Sequence, residues 1–144
     1  HLYVRLSGSE AASRQAQHQL GDNILEPLPE FWTSLRDHQH AFFKRDLPLW
    51  RLSVPPASPP LALQGDWLID WGGAQRWLYS DEPADRIRRL ASDVGGHAML
   101  FRHNDDVDEV FHPLPDGLLA LHRRLKAALD PHAIFNPGRM YKGV

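Results

Sequence analysis

The chain has 144 residues, 42% apolar and 24% charged, with a formal net charge of −2, the make-up of one globular domain with its own core. That charge argues against nucleic acid as the main partner, since phosphate backbones call for a basic surface. No apolar run reaches the roughly 18–20 residues of a membrane span and no signal-peptide pattern is visible; the lack of cysteine removes disulfides, thiolate nucleophiles and Cys-ligated metals and fits the cytosol.

The chain opens on His1 without a Met, which reads as a piece of a longer protein. Leu2, Val4 and Leu6 alternate with polar neighbours, predicting a half-buried strand. Ser9 is placed to cap a helix over 10–20 that Gly21 stops. A second helix is expected from Pro29, with Phe31, Leu35, His38 and Phe42 on one side. Trp50, Leu52 and Val54 then alternate with Arg51 and Ser53, a second strand, and the proline-rich stretch 55–60 follows as a stiff loop.

Residues 66–80, "DWLIDWGGAQRWLYS", predict a hairpin around Gly72-Gly73 with a loop of two or four residues. Period-two alternation gives one face Trp67, Ile69, Trp71, Arg76 and Leu78, and the other Leu68, Asp70, Gln75, Trp77 and Tyr79. Trp67, Ile69 and Trp71 read as core with Trp50, Leu52 and Val54, and the face carrying Arg51, Asp70, Gln75, Trp77 and Tyr79 as one left open by the helices. Pro83 opens a helix with an Ile87, Leu90, Ala91, Val94 stripe ended by Gly95-Gly96. Residues 97–102 read as a buried strand, and Asp116 as the cap of a last helix with Leu118, Leu121, Leu125 and Leu129 turned inward. The order implies a single α+β domain over 1–144, an antiparallel sheet with helices on one face in a ferredoxin-like arrangement.

Nine histidines raise the question of a metal, yet no pair has the spacing that puts two ligands on one helical face, and the acidic stretch 103–112 reads as an exposed loop; no metal site is expected. There is no nucleophile elbow and no glycine-rich phosphate cradle. The polar–aromatic face is the composition a ligand-facing sheet needs, though a solvent-facing sheet would share it. Arg51 is the residue best suited to a substrate carboxylate, because guanidinium offers a bidentate fork; pairing with Asp70 is its structural alternative. Gln75 and Trp77 would line the same surface. The ending "DPHAIFNPGR" (130–139) holds two prolines and a glycine around Ile134 and Phe135. It reads as a stiff loop anchored by that apolar pair near Leu125 and Leu129, presenting Asn136 and Arg139.

"LHRRLKAALDPHAIFNPGRMY" (121–141) resembles the closing segment of flavoprotein oxidases of the vanillyl-alcohol-oxidase type, where a long helix leads into a D-P-x-x-I-F/L-N-P-G-K/R signature. "FWTSLRDHQHAFF", "LWRLSVPP" and "DWGGAQRWL" look further like the FAD-binding subunits of bacterial glycolate oxidases. The resemblance implies a cap domain of an FAD-dependent enzyme that oxidises glycolate to glyoxylate and sends electrons to the respiratory chain. Its partners would be a second flavoprotein subunit and an iron–sulfur subunit, in the cytoplasm or peripherally at the inner membrane. FAD would be held mainly by an N-terminal domain that this chain lacks, with Asn136 and Arg139 matching the polar positions of the loop that returns toward it. The H-G-D-G-N-x-H pattern of the related catalytic subunit is absent; "RHNDD" (102–106) is the nearest stretch. A non-catalytic docking module, or the cap of another FAD-dependent hydroxyacid or sugar oxidase, satisfies the same residues.

Overall fold

A computed structural model describes residues 1–21, 29–103 and 109–144. The described chain forms two compact units, His1–Lys44 and Arg45–Val144.

In the first unit, helix α1 spans Glu10–Gln19, and the Ser9 hydroxyl accepts from the Ala12 amide as its cap. Helix α2 spans Pro29–Arg36. It stops short of the predicted Phe42 because His38 takes a positive φ of 54°, outside the helical region; Phe42 falls in a 3-10 turn, Ala41–Phe43. The strand expected at 2–6 does not form, and Leu2, Val4 and Leu6 are exposed. Alternation alone cannot hold a strand that has no neighbour to accept its backbone hydrogen bonds. Tyr3 instead stacks on Phe31, with ring centroids 4.8 Å apart, and Arg5 lies over the Trp32 ring.

The second unit is built on a four-stranded antiparallel sheet of β1 (Leu49–Ser53), β2 (Asp66–Asp70), β3 (Gln75–Tyr79) and β4 (His97–Arg102), in the order β2-β3-β1-β4. Read from the other edge this is 4-1-3-2, the strand order of the ferredoxin-like fold. One crossover is a helix, α3 (Ala84–Asp93), joining β3 to β4. The other, between β1 and β2, is the proline-rich loop rather than a helix, since prolines at 55, 56, 59 and 60 remove the amide donors that a helix needs. The fold is α+β, as expected.

Register decides the two faces. Trp50, Leu52, Leu78, Ala98 and Leu100 point to one side and meet Ile87 and Ala91 of α3 in the buried core, with Trp67 packed against it. Arg76 shares that side and is 4% exposed. Its guanidinium donates to three backbone carbonyls, Gly73 (3.2 Å), Pro59 (2.8 Å) and Ser58 (2.5 Å), tying the proline-rich crossover to the hairpin turn. The hairpin loop has four residues, 71–74. Trp71 therefore belongs to the turn, at φ 51°, not to a strand, and it is exposed rather than core; Ile69, one residue from the end of edge strand β2, is exposed as well. β4 is half-buried, not buried, because it too is an edge strand: Ala98 and Leu100 face the core while Phe101 and Arg102 are exposed.

The last helix, α4 (Asp116–Leu129), follows Pro115, and Asp116 is its first residue, not a side-chain cap. Its predicted inward stripe faces out: Leu118, Leu121, Leu125 and Leu129 are all exposed, whereas Leu119, His122 and Lys126 are half-buried. The C-terminal segment lies along this second side, with the Tyr141 ring near His122 and Phe111.

Candidate functional site

The sheet face opposite α3 carries the residues expected at a ligand. Arg51 is the register partner of Trp77 in β3 and of Met99 in β4, and Gln75 pairs with Ser53 and Asp70. Arg51, Gln75 and Trp77 thus lie on one face, on adjacent central strands. Arg51 and Gln75 are half-buried. Trp77 and Tyr79 are buried, at 4% and 1% exposure, so the face is not the open surface that its composition implied. β3 is an inner strand with a strand on each side, and aromatic rings gain most by leaving water. The Trp77 ring meets Phe101 edge-on, with centroids 4.9 Å apart. The alternative for Arg51, an ion pair with Asp70, does not form: Asp70 accepts from the Trp71 amide and lies across from Gln75. Among the described residues no carboxylate lies within ion-pair distance of Arg51.

The closing loop is held differently from the expectation. Ile134 and Phe135 are exposed, as are Leu125 and Leu129, so no apolar anchor is made. The anchor is Asp130, which sequence reasoning did not single out. Its buried carboxylate accepts from the Ile134 amide (3.0 Å) and the Phe135 amide (2.9 Å), and forms an ion pair with Lys126 at 2.7 Å. Lys126 also donates to the Phe135 carbonyl. An aspartate before a proline, with free amides four and five residues on, is the signal that could have revealed this latch. The Lys126 hydrogen bond, joined by the two amides, holds the Asp130 carboxyl down at about 2 against an ordinary 3.8. A depressed carboxylate stabilises the loop fully above the unfolded value and loses that contribution as pH falls through the folded one. Protection of the Ile134 and Phe135 amides, taken relative to intrinsic exchange at each pH, should be high at pH 5 and fall as pH is lowered from about 4 to about 2; Asp130→Ala should show low protection at both amides throughout, and equal protection at all these pH values would refute the latch.

Asn136 and Arg139 follow in a tight turn, Asn136 at φ 46° and the Arg139 amide donating to the Asn136 carbonyl at 3.2 Å. The Gly138 amide is taken by the Val144 carbonyl. The side chains of Asn136 and Arg139 are both exposed. The acidic stretch 103–112 falls largely on residues 104–108, outside the described residues, and among the described residues no three potential metal ligands come together.

Residues 84–140, from the start of α3 to the closing loop, match the family described as FAD linked oxidases, C-terminal domain. Over these residues the chain is similar to the C-terminal domain of an FAD-linked oxidase, and its α+β fold is consistent with that likeness. Over 140 residues it is 44% identical to glycolate oxidase subunit GlcE of Escherichia coli (strain K12), an alignment that covers 97% of this chain and 39% of that protein. The chain thus spans well under half the length of this curated relative. No solved structure matches it.

Proposed function

We propose that this chain is the C-terminal domain of the FAD-binding subunit of a glycolate oxidase, which oxidises glycolate to glyoxylate and passes the electrons toward the respiratory chain. The observation that carries this is the 44% identity to a glycolate oxidase subunit running through 97% of the chain. FAD, when bound, supplies the two-electron acceptor. The domain's own contribution is recognition and shape. Arg51 meets the substrate carboxylate with its bidentate fork, while Gln75 and Trp77 line the same face. The exposed Leu121, Leu125 and Leu129, together with the exposed Ile134 and Phe135, dock the flavin-binding part of the same polypeptide. Asn136 and Arg139 then reach the flavin side of that contact.

The subunit works within an assembly that holds a second flavoprotein subunit and an iron–sulfur subunit, and through it lies peripherally at the cytoplasmic side of the inner membrane. Among the described residues, no helix is long and apolar enough to cross a membrane. Glycolate added to the purified native assembly should reduce a dye acceptor. Arg139→Ala in the full-length subunit should lower flavin content at unchanged fold, by the 1.5–3 kcal/mol, about tenfold to a hundredfold, typical of a charged hydrogen bond. Dye reduction by an aldonolactone or sugar but not by glycolate would place the protein in another FAD-dependent oxidase. Normal flavin content in Arg139→Ala would leave the loop a structural clamp.

A further inference from the structure

A second site lies away from the Arg51 face, in an open cleft of about 810 Å³ between α3, the start of β4, residues 112–115 and the start of α4. Asp85, Arg88, Arg89 and Ser92 line it from α3; their i, i+3, i+4, i+7 spacing puts them on one helical face. His97 and His112 complete its polar wall, and Leu114, Leu118 and Tyr141 form its apolar one.

Among the described residues, the charges lining this cleft are unbalanced toward the cationic side. Arg88 is 7% exposed, with its guanidinium 5.6 Å from the centre of the Trp50 ring. One of its nitrogens donates to the Glu109 carbonyl at 2.5 Å, but its Nε is buried with no hydrogen-bond partner. Among the described residues neither Arg88 nor Arg89 has a carboxylate within ion-pair distance. Among the described residues, Asp85 is the one acidic side chain lining the cleft, together with two guanidinium groups and two imidazoles. A desolvated, unneutralised cation is costly unless something compensates it.

His112 registers the same field. The Ala98 amide donates to its Nδ1 (3.2 Å), which leaves the proton on Nε2, donating to the Ser92 hydroxyl at 3.1 Å. Its pKa is lowered by burial first, then by the charges of His97 and Arg88. The imidazole is held neutral beside a cationic wall.

We propose that this cleft binds a carboxylate on an apolar body, the anionic end meeting Arg88 and Arg89 and the body lying on Leu114, Leu118 and Tyr141. Arginine is the side chain that grips a carboxylate bidentately. Binding places a negative charge beside Arg88, Arg89 and His112, so it must also favour protonation of His112.

Hexanoate is a suitable probe, with hexanol as its uncharged control. In the full-length protein labelled with ¹⁵N-histidine, hexanoate should shift the His97 and His112 signals saturably and raise the His112 titration midpoint. Hexanol should do neither. Arg89→Ala, at an exposed position, should weaken hexanoate by about tenfold or more, whereas Arg51→Met, on the other sheet face, should bind it as the parent does. Persistence of the response in the native assembly identifies a free organic acid as occupant, and its loss on assembly identifies an acidic side chain of a partner chain. Equal shifts from hexanoate and hexanol, or an Arg89→Ala protein that titrates like the parent, would overturn the site.

Discussion

Arg76→Met should lower the stability of the second unit by about 3–5 kcal/mol, the largest effect expected of any single surface-to-core polar change here. The methionine keeps most of the apolar stem, so the loss reports the guanidinium. Three carbonyls, those of Ser58, Pro59 and Gly73, lose their donor together. Each charge-assisted hydrogen bond is worth roughly 1.5–3 kcal/mol when removed, and the sum falls short of additivity because the loop can take up water. Chemical denaturation followed by tryptophan fluorescence measures the change, and proteolysis within 55–60 should speed up in parallel. Arg76→Lys should recover little, since an ammonium cannot reach three separated acceptors at once. A variant within 1 kcal/mol of the parent would show that the proline-rich crossover holds itself in place.

Arg51→Met in the full-length subunit should reduce kcat/KM for the hydroxyacid by about 10–100-fold with flavin content unchanged, as expected when a bidentate contact worth roughly 1.5–3 kcal/mol is lost. The effect follows from what surrounds Arg51: Trp77 and Met99 across the sheet and, among the described residues, no carboxylate within ion-pair distance. If Arg51 positions substrate in the ground state and the transition state alike, the loss appears in KM. Arg51→Lys should restore part of it. The decisive comparison uses a substrate amide in place of the acid, which should lose nothing further in the variant. Unaltered kinetics with the acid would move the carboxylate site to another subunit and leave Arg51 a structural residue.

Much of the sheet was legible because strand alternation is a local property. Trp50, Leu52 and Leu78 announce the core face of β1 and β3, and the Gly72-Gly73 pair announces the hairpin, since positive φ at two successive residues restricts the choice of residue. The same periodicity put Arg51, Gln75 and Trp77 on one face before any strand order was known. The closing D-P…N-P-G-R run likewise pointed to a fixed loop and to a flavin-oxidase family. Periodicity says which residues share a side; it does not say what covers that side.

Tertiary structure decided the rest. Leu2, Val4 and Leu6 alternate as well as Trp50 and Leu52 do, but only the second set has strands beside it to complete the hydrogen bonds. The leucine stripe of α4 has the spacing of an inward face and lies outward, because the half-buried side was settled by the Tyr141 segment, 19 and 30 residues from the His122 and Phe111 it meets, and by Lys126 reaching the closing loop. Trp77 and Tyr79 are buried on an inner strand, and strand order is a property of long-range pairing alone. The Asp130 latch and the Arg88–His112 cleft depend on distances between atoms of separate segments. Composition and spacing carry the pattern of burial along each element; where an element lies in the fold determines whether that pattern is satisfied.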